Sequence, residues 1–300
     1  MKDSKVWLNG KMIPHQDVTV PLLSHGFSRA SAIFEAFGTH SGPDGTAAFR
    51  MDQHLKRLMH SAEMLEMNLP YSIEEMSAAV AETVKVNGVG RGLVKMMAYW
   101  SEEAVISLVL DSPLDLAIYA IPASPDLGLD NATPATACLS KWRKLHPETI
   151  PASSKACANY LNGYLARKDA MNRGFNLGVM LGTDGFLAEG SIESVFIVKD
   201  GMLKVPPLGR VLNSISRKSI VEAAPSIGIQ VEQCAITAAE LFDADEMFTA
   251  HTGIKVLPIK QFEDRTFDAP GPVTQKVKAL MADILSFKND DFKDWFQPMT

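Results

Sequence analysis

The stretch LGVMLGTDGFLAEGSIESVFIVKDGMLKVPP (residues 177–207) alternates short apolar runs with turn residues. Its Asp-Gly pairs, at 184–185 and 200–201, are typical of tight turns between antiparallel strands. The stretch therefore predicts an antiparallel meander. Glu189 lies between an alanine and a glycine in its middle, and we expect this carboxylate to be partly buried and to need a partner.

Helices and strands lie on both sides of this meander without a regular alternation. Asn9-Gly10 predicts a hairpin over residues 6–13, and Ser72 with Glu75 has the spacing of a capping box. Asp52 is the expected N-cap of a helix within 49–70. Other strands are predicted at 93–100, 115–122 and 135–141. A helix is predicted after Lys155, with Leu161, Tyr164, Leu165 and Met171 as its apolar residues. Further helices are predicted after residue 212, after a Thr237–Glu240 capping box, and near 272–287.

This order of elements predicts an α+β protein with two domains. The polar, Pro- and Gly-containing segment ASPDLGLDNATP is the candidate linker. We therefore expect a small N-terminal domain over residues 1–122, a linker over 123–134 and a large domain over 135–300.

Composition excludes several classes of protein. The chain of 300 residues has a net charge of -6, so it lacks the basic surface that nucleic acid binding requires. No apolar run reaches the ~18–20 residues of a membrane helix, and the first residues lack the apolar core of a signal peptide. Cys138, Cys157 and Cys234 are widely separated, which favours reduced thiols in a cytoplasmic protein.

Common motifs for phosphate, metal and acyl chemistry are missing from the sequence. It contains no G-x-G-x-x-G, P-loop, H-E-x-x-H or G-x-S-x-G pattern. The seven histidines are scattered, and His54 and His60 are six residues apart on one predicted helix. The sequence therefore predicts no metal site.

The segment SSKACANYL (153–161) places Lys155 among small residues. Alone, such a lysine is read as a solvated residue near a helix start. Glu189 in the meander, the helix start with Ser214 and Ser216, and the loop at Thr252 add a carboxylate and an anion cradle. An amine, an acid and a phosphate site are what pyridoxal phosphate (PLP) requires.

These segments resemble the class IV, fold-type IV PLP-dependent aminotransferases, and most of all the branched-chain amino acid aminotransferases. The resemblance covers about residues 6–285. It rests on KACANYL (155–161), AEGSIESVFIVKDGMLKVPP (188–207), LNSISR (212–217), ADEMFTAHTG (244–253), VWLNGKMIP (6–14), LSHGFSRASAIFEAF (23–37) and FRMDQHLKRL (49–58). It implies a small N-terminal α/β domain, a larger domain with a pseudo-barrel of mixed strands, and a homodimer.

The resemblance also implies roles for single residues. Lys155 would attach the cofactor and move the proton, Glu189 would pair with the pyridine nitrogen, and Tyr160 would hydrogen-bond the ring oxygen. The phosphate would be held by the side chain of Arg57, the backbone of Ser214 and Ile215, and the hydroxyls of Ser216 and Thr252. Gly253 would hold the substrate carboxylate, and Phe34 would line the side-chain pocket.

The sequence departs from the branched-chain pattern mainly at the substrate positions. Arg29 stands where those enzymes carry a tyrosine, and Lys95 stands where they carry an arginine for the distal carboxylate of glutamate. Leu93 replaces a second tyrosine, Ala36 a glycine, and Ser214 a glycine near the phosphate. We therefore expect Arg29, together with Lys95, to bind a substrate carboxylate.

The favoured function is transfer of an amino group, from a branched-chain L-amino acid, to a 2-oxo acid such as 2-oxoglutarate. A D-amino acid or (R)-amine transaminase and a 4-amino-4-deoxychorismate lyase remain as alternatives with the same fold and cofactor. A cofactor-free binding protein is the alternative from another class. The presence of both Lys155 and Glu189 argues against it.

Overall fold

The computed structural model describes residues 4–127, 129 and 133–299, and the chain divides into two compact units. The first unit comprises Met1–Leu127, Ser154–Ala158 and Leu285–Thr300, and the second comprises Gly128–Ser153 and Asn159–Ile284. Residues 128 and 130–132 of the predicted linker lie outside the described residues. The domain boundaries drawn from the sequence stay a prediction.

Strands and helices occur in both units. In chain order the strands are β1 Lys5–Leu8, β2 Lys11–Pro14, β3 Ala32–Gly42, β4 Gly45–Phe49, β5 Gly92–Tyr99, β6 Asp115–Pro122, β7 Ala135–Leu139, β8 Leu177–Leu181, β9 Leu187–Glu189, β10 Ser194–Lys199, β11 Met202–Val205, β12 Val231–Gln233, β13 Glu246–Ala250, β14 Leu257–Phe262, β15 Arg265–Thr266 and β16 Phe296–Pro298. The α-helices are α1 His25–Ser28, α2 Met51–Met64, α3 Ile73–Val86, α4 Tyr160–Asn172, α5 Ile215–Ala223, α6 Ala238–Asp243 and α7 Pro272–Leu285.

The described part of the first unit forms an antiparallel sheet in the order β16-β4-β3-β5-β6-β1-β2. The β1–β2 hairpin is confirmed, and Asn9 and Gly10 have the positive φ values that its tight turn requires. Along β3, Ile33, Glu35 and Phe37 are buried while the residues between them are partly exposed. This alternation gives β3 a buried face and an open face.

Two of the three helix N-caps predicted from the sequence form as expected. The capping boxes Ser72–Glu75 and Thr237–Glu240 are confirmed, with both reciprocal hydrogen bonds present in each. The prediction that Asp52 is an N-cap is wrong, because α2 begins at Met51 and its N-cap is Arg50, with a φ of 52°.

The second unit contains a mixed sheet in the order β12-β11-β10-β13-β14-β7-β8-β9, with β15 added to β14. The β14–β7, β7–β8 and β11–β12 pairs are parallel. Two antiparallel pairs, β8–β9 and β10–β11, confirm both predicted turns. The prediction of one continuous meander is wrong, because β10 pairs with β11 and β13 rather than with β9. An antiparallel sheet in one unit and a mixed sheet in the other confirm the α+β class.

Helix α4 packs its small residues inward. Gly163, Ala166 and Ala170 are buried, and a Cβ atom on Gly163 would collide with the carbonyl oxygen of Ser191. The large apolar residues that the sequence places on this helix include three that are exposed, namely Leu161, Tyr164 and Met171. The close backbone approach therefore decides which face is buried.

Among the described residues, no helix has the length and the apolar character needed to cross a membrane. In the same part of the chain, no three His, Cys, Asp or Glu side chains gather as a metal site would require. The cytoplasmic location inferred from the cysteines stays a prediction.

Candidate active site

The predicted site residues are divided between the two units. The first unit carries Arg29, Phe34, Arg57, Lys95 and Lys155. The second unit carries Tyr160, Glu189, Ser214, Ile215, Ser216, Thr252 and Gly253. Each unit therefore holds part of the residue set that the family resemblance implies.

The segment 154–158 lies along one edge of β3 in the first unit. The pairing of β3 with β4 begins only at Thr39, which leaves the first half of that edge of β3 to another partner. Ala156 forms an antiparallel bridge with Ile33, and the N–H of Phe34 donates to the carbonyl oxygen of Lys155 at 3.1 Å. The sheet edge therefore fixes the backbone of Lys155.

Lys155 is buried, with 8% of its surface exposed, so it is not a solvated lysine. Its backbone N–H donates to Ser61 Oγ at 3.0 Å, and that hydroxyl donates to the carbonyl oxygen of Arg57 at 2.8 Å. The amine Nζ lies 4.4 Å from the ring centroid of Phe34. A buried amine beside an aromatic wall is suited to covalent chemistry rather than to solvation.

The two predicted carboxylate-binding cations have different surroundings. Lys95 is exposed on β5, and its Nζ lies 5.6 Å from the ring centroid of Phe34. Arg29 follows α1, is exposed, and donates from Nη2 to the carbonyl oxygen of Val105 at 3.2 Å. The structure thus brings Lys95 to the same aromatic ring as Lys155, and it gives Arg29 a hydrogen bond to Val105.

Arg57 belongs to a buried charged cluster beneath β3. Its Nε and Nη2 donate to the two carboxylate oxygens of Glu35 at 2.7 and 2.8 Å, and His54 Nδ1 donates to Glu35 Oε2 at 2.6 Å. Burial raises the pKa of Glu35, but the Arg57 and His54 charges outweigh it and lower the pKa to about 2. Two donors of Arg57 are thus engaged by Glu35, and its predicted role at a phosphate stays a prediction.

Glu189 ends β9 in the second unit and is half-buried, as the sequence predicts. Its Oε1 forms an ion pair with Nζ of Lys144, which is buried. The Lys144 backbone is fixed by a 2.8 Å hydrogen bond from its N–H to the carbonyl oxygen of Leu181. The carboxylate therefore has the partner that its burial requires, and this partner, Lys144, was not among the predicted site residues.

The start of α5 carries Ser214, Ile215 and Ser216 of the predicted anion cradle. Ser214 is its N-cap, and the Ser214 hydroxyl accepts from the N–H of Arg217 at 3.3 Å. The N–H groups of Ile215 and Ser216 have no acceptor within the helix, because the first turn of any α-helix lacks one. Buried Lys255 donates to Ser216 Oγ at 3.3 Å and to the carbonyl oxygen of Thr252 at 3.1 Å. Lys255 therefore links two predicted phosphate ligands.

The roles predicted for Gly253 and Tyr160 stay predictions. The N–H of Gly253 donates to Nδ1 of His251 at 3.1 Å. Burial lowers the pKa of His251, with Lys255 and Arg167 adding to this effect and Glu193 opposing it, so the neutral ring is favoured. Tyr160 is half-buried at the first position of α4, next to Asn159.

Comparisons with known proteins cover nearly the whole chain. The model of the family "Amino-transferase class IV" matches residues 32–262. A branched-chain-amino-acid aminotransferase of Pseudomonas aeruginosa is 29% identical, over 98% of this chain and 97% of the relative. The crystal structure of a branched-chain aminotransferase from Thermoproteus uzoniensis with norvaline is 31% identical, with a TM-score of 0.94 and 99% of both chains covered. The PLP form of a Thermobaculum terrenum branched-chain amino acid aminotransferase is 26% identical, with a TM-score of 0.93, 100% of this chain and 99% of that chain covered.

The antiparallel sheet, the mixed sheet and these full-length similarities define a PLP-dependent enzyme of fold type IV. The chain belongs to the class IV aminotransferase family. The family, the fold and the cofactor predicted from the sequence are thereby confirmed.

The residues present fit PLP chemically. Lys155 offers a buried amine, Glu189 a half-buried carboxylate, and the α5 start offers backbone donors, a buried hydroxyl and the ammonium of Lys255. When bound, PLP supplies a carbonyl that takes up the amino group and a ring that draws electrons from the substrate Cα. Lys144 and Lys255 were missed because no local motif marks either lysine, and only their burial in the fold reveals them.

Proposed function

We propose that the enzyme transfers the amino group of a branched-chain L-amino acid to a 2-oxo acid such as 2-oxoglutarate. The full-length similarity to branched-chain aminotransferases from two organisms supports this donor. One of those relatives was solved with norvaline, an amino acid with an unbranched aliphatic side chain.

The proposal assigns a task to each site residue. Lys155 attaches the cofactor and carries the proton that leaves the substrate Cα, while Phe34 lines the space for an apolar side chain. Glu189 holds the cofactor ring nitrogen in its protonated form, and Lys144 fixes the position of that carboxylate. The remaining cofactor contacts come from Arg57, Tyr160, Ser214, Ile215, Ser216 and Thr252. Substrate carboxylates are bound by Gly253, Arg29 and Lys95.

The observation that carries the proposal is the 4.4 Å distance between Lys155 Nζ and the Phe34 ring. An apolar surface beside the reacting amine favours aliphatic substrates, because apolar groups gain about 25 cal/mol for each Å² removed from water. A donor panel on PLP-loaded enzyme tests this. L-Leucine, L-isoleucine and L-valine should convert the cofactor to its amine form, with 2-oxoglutarate restoring it.

The alternatives give different outcomes in the same panel. A preference for D-alanine over L-leucine would indicate a D-amino acid transaminase, and turnover of an (R)-amine would indicate an amine transaminase. Release of pyruvate from aminodeoxychorismate without any 2-oxo acid would indicate a lyase. Any of these results, in place of turnover with L-leucine, would contradict the proposal.

Lys95 is expected to bind the second carboxylate of a dicarboxylic acceptor, because its ammonium lies over the ring of Phe34 beside Lys155. A charge-assisted hydrogen bond contributes roughly 1.5–3 kcal/mol, at ~1.4 kcal/mol per decade. Lys95→Met should therefore raise KM for 2-oxoglutarate by about ten- to a hundredfold. Steady-state kinetics with pyruvate, which lacks the second carboxylate, should show little change.

Arg29→Ala is measured in the same experiment, because the sequence predicts that both Arg29 and Lys95 bind a substrate carboxylate. The Arg29 side chain contacts Val105, so we expect its effect on 2-oxoglutarate to be smaller than that of Lys95→Met. Equal losses with all acceptors would assign these residues to the carboxylate that every acceptor shares. No change in either variant would contradict the carboxylate role.

We also propose a homodimer, and an exposed apolar surface on the first unit supports it. This apolar surface consists of Val20, Leu22, Leu23, Phe27, Val105, Ile106, Leu108 and Val109, all exposed. Its two segments are held together by hydrogen bonds from Ala104 N–H to the Leu23 carbonyl at 3.0 Å and between His25 Nε2 and the Leu108 carbonyl at 2.9 Å. An anchored apolar patch of this kind is typical of a protein–protein interface.

Ile106→Asp is expected to produce a monomer, because Ile106 is 90% exposed in the single chain and a carboxylate there opposes burial in an interface. Light scattering after gel filtration measures the mass. Val86→Asp, on an exposed position of α3 outside the apolar surface, is the control and should leave the dimer intact. A monomeric wild-type protein would contradict the dimer proposal.

A further inference from the structure

Lys255 is a buried lysine in the loop between β13 and β14. Only 9% of its surface is exposed, which is unusual for a lysine. Its Nζ donates to Ser216 Oγ at 3.3 Å and to the carbonyl oxygen of Thr252 at 3.1 Å. The ammonium therefore lies at the point where the start of α5 and the 251–256 loop converge.

We propose that Lys255 is a positioning residue for the cofactor phosphate, both by its charge and by its effect on Ser216. This inference rests on the proposed assignment of the α5 start to the phosphate. Lysine has three donors and no acceptor, so Ser216 Oγ must accept from Lys255. The proton of the Ser216 hydroxyl is then directed to another acceptor, and a phosphate oxygen is such an acceptor.

The charge of Lys255 complements the backbone cradle. A phosphate monoester carries about -1.5 to -2 charge at neutral pH, whereas a helix N-terminus offers roughly +0.5. Burying an ammonium is costly unless hydrogen bonds and charge compensate it. A phosphate bound close to Ser216 would add an anionic partner to the contacts of this ammonium.

The contacts of Lys255 also differ from those of Arg57, the other cationic residue predicted to hold the phosphate. Arg57 donates through Nε and Nη2 to the fully buried Glu35, which offsets much of its charge. Lys255 contacts a hydroxyl and a carbonyl in the same unit as the α5 start. We therefore assign to Lys255 a large part of the discrimination between phosphorylated and unphosphorylated cofactor.

The test measures how tightly the apoprotein binds PLP and how tightly it binds pyridoxal, which lacks the phosphate. Absorbance and tryptophan fluorescence report the binding. Lys255→Met should weaken PLP binding by about ten- to a hundredfold, as expected for loss of a charge-assisted contact. Pyridoxal binding should be unchanged. Inorganic phosphate should compete with PLP on the wild-type protein and compete more weakly on the variant.

Lys260→Met is the matched control, since Lys260 is exposed on β14, and it should bind PLP like the wild type. Should Lys255→Met fail to fold by circular dichroism, Lys255→Gln and Ser216→Ala replace it with the same expected selectivity. Equal weakening of PLP and pyridoxal, or unchanged PLP binding, would overturn the role of Lys255 alone. Wild-type protein that binds no PLP would overturn this role together with the proposed function.

Discussion

Lys155→Ala is expected to lower the transamination rate by at least about 10²–10⁴-fold. Positioned proton transfer alone contributes a factor of that size, and the variant also loses the covalent attachment of the cofactor. The variant should keep its fold, because the backbone contacts of Lys155 to Ser61 and Phe34 do not involve the amine. Single-turnover kinetics with L-leucine measures the loss, and the absorption band of lysine-bound cofactor should disappear.

The position of attachment can be mapped directly. Borohydride reduction of PLP-loaded wild-type protein, followed by peptide mapping, should place the label on Lys155. Lys144 and Lys255 are also buried lysines, so they are the meaningful competitors. A label on either of them would contradict the assignment. Lys141→Ala, at an exposed position, should retain the wild-type rate and label.

Features fixed by neighbouring residues could be predicted from the sequence. The Asn9-Gly10 hairpin and both capping boxes formed as expected, because the hydrogen bonds of each box join residues three positions apart and the hairpin pairs residues at most nine positions apart. The Asp52 cap was wrong for a long-range reason. Arg50 occupies that position with its guanidinium 3.5 Å from the ring centroid of Trp295, near the end of the chain.

The orientation of α4 could not be read from its apolar residues. Periodicity assumes that large apolar side chains face the core. Here Gly163 faces the backbone of Ser191, and Gly178 of β8 faces the backbone of Ala166, so only small residues fit between helix and sheet. The apolar pattern of Leu161, Tyr164 and Met171 instead marks an exposed face.

In the candidate site, too, residues within a sequence motif could be predicted, whereas contacts between residues far apart in the chain could not. Lys155 and Glu189 lie within motifs and could be named from the sequence. The partner of Glu189 could not, because Lys144 is 45 positions away in the chain and lies within an ordinary basic run, KWRK. The burial of Lys144 and Lys255 depends on sheet topology, which residue patterns do not specify.

Glu35→Gln should lower the free energy of unfolding by about 3–5 kcal/mol at pH 7. Removing one partner of a buried ion pair has a cost of that size, because the other charge stays buried without its counterion. Glu35 is fully buried and accepts both hydrogen bonds from Arg57 and one from His54. Urea unfolding measures the change. Glu63→Gln, at an exposed position of the same helix as Arg57, should change stability by less than about 0.5 kcal/mol.

The stability that Glu35 contributes has a defined pH window. Its pKa falls from 4.5 in the unfolded chain to about 2 in the fold, which corresponds to about 3–4 kcal/mol at ~1.4 kcal/mol per pKa unit. Because the folded pKa is lowered, this stability is fully present above pH 4.5 and is lost as the pH falls towards 2. The difference between wild type and Glu35→Gln should therefore be constant from pH 6 to 8 and reduced to less than half at pH 3. A difference that persists unchanged at pH 3 would mean that the carboxylate charge does not stabilise the fold.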